Sequence, residues 1–217
     1  MALSVVVTVG ESTSKQLLEN LIPAIKNIKI DIGDALNVDM GPLISKEHRE
    51  RVLNAINQGV AEGANLLIDG REFVHPQYPN GFFIGPSLFD NVHQNMTIYQ
   101  QEIFGPVLVI LKAQSLDEAI ALINANQYGN GAAIFTSDGY SARYFTEKAK
   151  AGMIGVNIPI PVPVASHPFG GFKDSAFGDN KMHGLESIHF YTKIKTITSK
   201  WPENHIENNA FTMPMNG

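Results

Sequence analysis

Apolar and polar residues alternate along this chain in two different periods. Leu3–Val9 reads as a strand, with Val5, Val6, Val7 and Val9 as a buried run. Ser12 or Ser14 then caps a helix through about Asn27, and Leu17, Leu18, Leu21, Ile25 and Ile28 fall on one face of it. A loop with Gly33, Asn37, Asp39, Gly41 and Pro42 follows. Ser45 caps a second helix to about Glu62, striped by Val52, Ala55, Ile56 and Val60. Leu66–Ile68 is a short strand closed by Asp69-Gly70. Residues 71–81 hold two prolines and Asn80-Gly81, so they predict a surface turn or hairpin, and Phe82–Ile84 is extended.

Thr97–Phe104 predicts a short helix and turn, and Val107–Lys112 a strong buried strand. Ser115-Leu116-Asp117-Glu118 is a capping box that opens a helix with Ala119, Ile120 and Ile123 inward. Ala132–Thr136 is a strand, Asp138–Lys150 a helix and Met153–Val156 a strand. Residues 158–168 alternate proline with aliphatics, which excludes helix and central strand. Tyr191–Ser199 is β-branched and extended, and the tail after Trp201 is polar. Strand–helix–strand alternation with helices of roughly 12–16 residues implies right-handed crossovers. The fold class is therefore α/β, a mainly parallel sheet flanked by helices with a C-terminal extended arm. Such sheets place sites at the carboxyl ends of strands. That directs attention to the loops after Val109–Lys112, after Ala132–Thr136 and after Val156.

Composition narrows the functional classes. Of 217 residues, 44% are hydrophobic and 17% charged, enough apolar material for a core and too little charge for disorder. The net charge of −5 argues against non-specific nucleic-acid binding. No apolar run of about 18 residues exists to span a bilayer. Met1–Val7 lacks the basic flank and cleavage site of a signal peptide. The chain enters an apolar run within two residues of its start. That fits a chain cut inside a folded unit, or a short buried N-terminal strand. There is no cysteine, so disulfides, thiolate metal sites and a cysteine nucleophile are excluded within these residues.

Several common motifs are missing: no Walker A loop, no HExxH, no GxSxG. Gly129-Asn130-Gly131 follows a helix and precedes a strand, the reverse of a dinucleotide loop, and reads as a helix C-cap turn. The seven histidines read as ordinary loop and surface residues. His183 and His189, six apart, do not share a helix face, so no metal site is expected.

Two segments stand out. One is Gln101-Glu102-Ile103-Phe104-Gly105-Pro106-Val107. The other is Gly155-Val156-Asn157-Ile158-Pro159-Ile160-Pro161-Val162-Pro163, followed by Pro168-Phe169-Gly170-Gly171-Phe172-Lys173. Taken alone, Glu102 suits a solvated helix end, Phe169 a core position and Gly170-Gly171 a bend. Together, at this spacing, they resemble the aldehyde dehydrogenase superfamily. The resemblance extends through Gly41-Pro42-Leu43-Ile44, Tyr128-Gly129-Asn130-Gly131 and Phe135-Thr136 to Lys195-Thr196-Ile197-Thr198. The opening MALSVVVTVG and the IPIPVPV run look like its methylmalonate-semialdehyde dehydrogenase branch.

That resemblance implies a C-terminal catalytic-domain portion, residues 1–190, with residues 191–217 as the strand of an oligomerisation arm plus a frayed tail. No catalytic residue is expected in the chain itself. In this branch the nucleophilic cysteine would sit immediately before Met1, and the cofactor domain and oxyanion-hole amide upstream. In the family a cysteine thiolate attacks an aldehyde, hydride passes to NAD, and coenzyme A takes the acyl group. The overall reaction implied turns malonate or methylmalonate semialdehyde into acetyl-CoA or propionyl-CoA with loss of CO2, a step of valine catabolism. Glu102 matches the glutamate that accepts hydrogen bonds from the nicotinamide ribose hydroxyls. Phe104 matches the aromatic near the ribose or nicotinamide, with a core role as its alternative.

Phe169, Pro161 and Val162 would wall the aldehyde pocket. Ser166 and His167 sit beside it, and Asn157 suits a bond to loop backbone. A homo-oligomer is implied through the last β-run, Thr192–Thr198 being otherwise an unpaired edge or a final strand on the chain's own sheet. Mitochondrial matrix and bacterial cytoplasm are both compatible. The isolated chain is expected to be inactive. The alternative is a truncated interaction module that assembles with full-length subunits.

Overall fold

The computed structural model describes residues 3–161 and 164–201. In chain order the elements are β1 (Val5–Val9), α1 (Glu11–Lys26), α2 (Lys46–Ala61), β2 (Asn65–Ile68), β3 (Ser87–Asp90) and α3 (Thr97–Gln100). Then come β4 (Val107–Ala113), α4 (Leu116–Ala125), β5 (Tyr128–Gly129), β6 (Gly131–Ile134), α5 (Gly139–Lys148), β7 (Met153–Val156) and β8 (Phe172–Lys173). A 3-10 turn (Gly184–Glu186) leads into α6 (Ser187–Tyr191).

The larger sheet has the order β1-β4-β3-β2. β1, β4 and β3 run parallel, and β2 pairs antiparallel to β3 at the edge. A second parallel pair, β6 with β7, and a short antiparallel pair, β5 with β8, complete the strands. This is the α/β architecture expected from the alternation of periods.

β4 shows why the sheet is covered on both faces. Its alternate residues Val107, Val109 and Leu111 join Phe89 against Val52 and Ile56 of α2. Leu108 and Ile110 join Leu88 against Leu17, Leu21 and Ile25 of α1. A strand between two layers needs both sets of side chains apolar, which is why it reads as one continuous run. Each side chain fully buried there contributes about 1.5–3 kcal/mol. A separate cluster, Ile120, Ile134, Phe145 and Ala149, joins α4 and α5 to the second pair of strands.

The helix starts divide by mechanism. Ser45 Oγ accepts from the His48 N–H at 3.1 Å and opens α2. Ser115 Oγ accepts from the Glu118 N–H, while the Glu118 carboxylate reaches back to the Gln114 N–H, one residue beyond the usual box partner. At α1 the expected serine cap is not used. The cap is Gly10, whose φ of 81° turns β1 directly into the helix. Ser12 lies within the helix, and so does Ser14, which is buried.

Other local expectations are corrected. Phe82–Ile84, read as extended, joins no ladder. Its carbonyls bond outside any ladder, Phe82 O to Leu43 N and Phe83 O to Arg49 Nε. The strand is the next stretch, β3. Gly129-Asn130-Gly131 does not cap a helix: Asn126 caps α4, and Gly129 pairs with Phe172 in the β5–β8 ladder. Not all histidines are surface residues. His48 and His75 are buried. The ring of His75 stacks on Phe83 and bonds Asp31 at 3.0 Å. Tyr191 ends α6 rather than opening a strand, and residues 192–200 are exposed with no helix or ladder. The domain division at 190/191 therefore falls inside α6.

Candidate functional site

Glu62, the C-cap of α2, accepts hydrogen bonds from the Thr97 N–H at 2.7 Å and the Thr97 hydroxyl at 2.6 Å. Bonds from Gln58 first, then Thr97, hold its carboxyl below the usual carboxylate range. The end of α2 is thereby fastened to the start of α3. α3 stops at Gln100, and residues 101–106 carry the chain back to β4.

Within that loop Glu102 is exposed and takes part in none of the ion pairs of the described residues. Phe104 has φ of 57° and is 76% exposed. It is therefore no part of the core, the alternative that its residue type left open. Gly105 follows because nothing larger fits: a Cβ there would stand 2.7 Å from Val52 Cγ2. Glu102 and Phe104 thus project from the amino end of β4. The carboxyl-end loop favoured by strand direction does not carry them. At that other end Lys112 bonds Asp90 at 3.0 Å beside open grooves of about 570 and 480 Å³.

The second segment is built on β7. Asn157 adopts φ of 56°; its Oδ1 accepts from the Thr136 N–H at 2.9 Å and its Nδ2 donates to the Thr136 carbonyl at 3.1 Å. It ties the loops after β6 and β7 together, a backbone role as expected. Pro161 is half-buried beside Gly131. Val162 lies outside the described residues. Phe169 is half-buried and stacks on His183 with ring centroids 4.3 Å apart. Ser166 and His167 are exposed and bond each other at 3.2 Å. Among the described residues no group of three or more metal-ligating side chains gathers.

Side chains whose contacts no motif predicted brace these two segments. Gln127 Nε2 donates to the Gln100 carbonyl, and the Gln127 carbonyl accepts from the Asp174 N–H. Lys173, at φ of 53°, sends its ammonium to the carbonyls of Ile123, Asn124 and Asn126 at 2.9–3.4 Å, closing the end of α4. Burial, and then the charge of Lys150, lower its pKa. So α3 and its loop are stitched through Gln127 to the Phe172–Lys173 strand that follows Phe169. His48 is a third such residue: its Nε2 lies 2.8 Å from the Phe104 carbonyl.

An exposed acceptor-only carboxylate beside an exposed aromatic, on a loop held from two sides, can hold a diol against a flat surface. The fold is that of an α/β domain that displays this loop at the amino end of β4. More narrowly, the chain belongs to the aldehyde dehydrogenase family, whose model matches residues 1–197. It is 49% identical over 203 residues to the malonate-semialdehyde dehydrogenase of Pseudomonas aeruginosa, covering 94% of this chain and 41% of that protein. The human methylmalonate-semialdehyde/malonate-semialdehyde dehydrogenase [acylating], mitochondrial, is 47% identical over 219 residues, covering 100% of this chain and 41% of that protein.

Among solved structures, a methylmalonate-semialdehyde dehydrogenase from Oceanimonas doudoroffii superposes with a TM-score of 0.87 at 45% identity, covering 94% of this chain and 42% of that one. A Sinorhizobium meliloti protein assigned to the same enzymes, crystallised with NAD, gives a TM-score of 0.87 at 48% identity over 93% of this chain and 41% of that one. The chain therefore spans about two-fifths of the length of the relatives it matches.

Proposed function

We propose that this chain forms the C-terminal catalytic-domain portion of a coenzyme A-acylating methylmalonate-semialdehyde dehydrogenase. The observation that carries the proposal is the outward display of Glu102 and Phe104 from a braced loop. The family membership and the semialdehyde-dehydrogenase relatives support the same reading.

In it, Glu102 accepts hydrogen bonds from the nicotinamide ribose hydroxyls, and the Phe104 ring lies against that end of the dinucleotide. Their exposure leaves both free for such contacts. Bound NAD would supply the hydride acceptor. Phe169 with Pro161 and Val162 walls the aldehyde pocket and excludes water. Coenzyme A is the proposed acyl acceptor. The thiol nucleophile has to come from outside these 217 residues, which contain no cysteine. Residues 192–200, exposed and without a ladder partner among the described residues, would pair in a homo-oligomer. The human relative is mitochondrial by name and the Pseudomonas relative bacterial; the proposed reaction fits a mitochondrial matrix or a bacterial cytoplasm alike. No helix among the described residues is long and apolar enough to cross a membrane.

The test is an NAD-reduction assay with malonate semialdehyde and coenzyme A. The chain alone is expected to give no turnover. Joined to an amino-terminal half that supplies the cysteine, it is expected to turn over, and Glu102→Gln to raise the KM for NAD about tenfold or more, the loss of one charged hydrogen-bond partner. Turnover by the 217 residues alone, or a Glu102→Gln enzyme with an unchanged KM, would overturn the proposal.

A further inference from the structure

The left-handed region is strained for a residue that carries a side chain. Phe104 occupies it at φ of 57°, yet it is largely exposed and gains little packing in return. The loop conformation is held from elsewhere.

The holding group is His48, in the first turn of α2. Its backbone N–H is taken by Ser45 Oγ and its ring is buried. Nδ1 lies 2.9 Å from Arg51 Nη2, and Nε2 lies 2.8 Å from the Phe104 carbonyl oxygen. A guanidinium offers only donors and a carbonyl only acceptors. Arg51 therefore makes Nδ1 the acceptor and leaves the imidazole proton on Nε2, where it donates to Phe104. One residue on, the missing Cβ of Gly105 lets Val52 of the same helix close against the loop.

We propose that His48 is a positioning residue: fixed by Arg51 as the Nε2–H tautomer, it holds the Phe104 carbonyl and keeps the loop turned so that Glu102 and Phe104 face outward. The consequence for cofactor binding rests on the reading of those two residues given above; the loop geometry does not.

The experiment uses the 217-residue chain and NMR. Nitrogen-15 shifts of the imidazole report the His48 tautomer, and backbone shifts and couplings report φ of Phe104. The wild-type chain is expected to show the Nε2–H form and a positive φ. In His48→Gln the side-chain amide can donate to the same carbonyl, so φ stays positive. In His48→Ala it relaxes to negative values. Both variants lose the buried ring and melt lower, so thermal stability does not separate them while the loop does.

Arg51→Met leaves the ring in place and is expected to mix the two tautomers and shift the Phe104 amide. Should His48→Ala not fold, Arg51→Met decides: an unchanged tautomer and Phe104 signal overturn the inference. So does a positive φ that survives in His48→Ala, or one lost equally in His48→Gln.

Nicotinamide mononucleotide supplies a separate arm. It is expected to perturb the Glu102 and Phe104 amides at millimolar concentration, several-fold more weakly in His48→Ala and with recovery in His48→Gln. No perturbation in the wild-type chain counts against the ribose reading alone.

Discussion

Gly105 sits where α2 comes closest to the loop, and a single methyl group there has a defined target. Gly105→Ala would push its Cβ into Val52, a fully buried side chain. Overpacking of this kind costs about 1–3 kcal/mol. Val52→Ala alone leaves a cavity and also costs about 1–3 kcal/mol, near the lower end for loss of a buried aliphatic side chain. The two changes compensate, so urea unfolding of the double variant is expected to show a loss smaller than the sum by at least about 1 kcal/mol. Strict additivity would refute the contact.

Glu102 and Phe104 stand out as candidate site residues because they lie in a contiguous motif. The contacts of His48 and Gln127 were not legible, nor was that of Lys173, although it closes the second segment. His48 acts on a carbonyl 56 residues away, Gln127 on one 27 away and Lys173 on carbonyls up to 50 away. A bond from a side chain to a distant backbone atom leaves no periodicity and no spacing to read.

Between elements, hydrogen bonds to helix ends carry the load that loops would otherwise leave open. Glu62 closes the junction of α2 and α3, and its carboxyl is held below its ordinary value of 4.5 by bonds from Gln58 and Thr97. A lowered folded pKa means the ionised form favours folding. That contribution is full above pH 4.5 and is lost as the pH falls through the lower folded value. Glu62→Gln is therefore expected to destabilise the chain near pH 7 and to lose that difference toward pH 3, read from urea midpoints at the two pH values. An equal deficit at both would assign the effect to packing.

Lys173→Met removes the donor from three carbonyls at the end of α4. It is expected to cost about 1–3 kcal/mol and to speed hydrogen exchange in α4 before the larger sheet. Long periodic elements such as α2, β4 and α4 were legible because burial on one or two faces fixes their pattern. The short ladder β5–β8 and the helix α6 were not, since two to five residues carry too few periods to distinguish a pairing from a turn.

At the scale of the whole molecule, the exposed apolar residues set what the chain does in solution. Phe104, Phe135 and Ile158 are largely exposed at the loops of the proposed site. Ile194, Ile197 and Trp201 are exposed along the segment after α6, which has no ladder partner among the described residues. A β-branched segment outside any ladder can serve as a template for another strand. The sequence pattern starts this segment at Tyr191, inside what is a helix. Tyr191 closes α6 because the Thr192 N–H bonds back to the Ile188 carbonyl.

If residues 192–200 drive association, charge on that segment should prevent it with no effect on the core. Ile194→Lys with Ile197→Lys is expected to move the chain toward monomer in sedimentation velocity at tens of micromolar while leaving its melting temperature within a few degrees. Charges placed instead at Phe104 and Phe135 would leave association through this segment intact. If only the latter pair disperses the chain, the proposed site face is the surface that associates, and the segment after α6 has no part in oligomer formation.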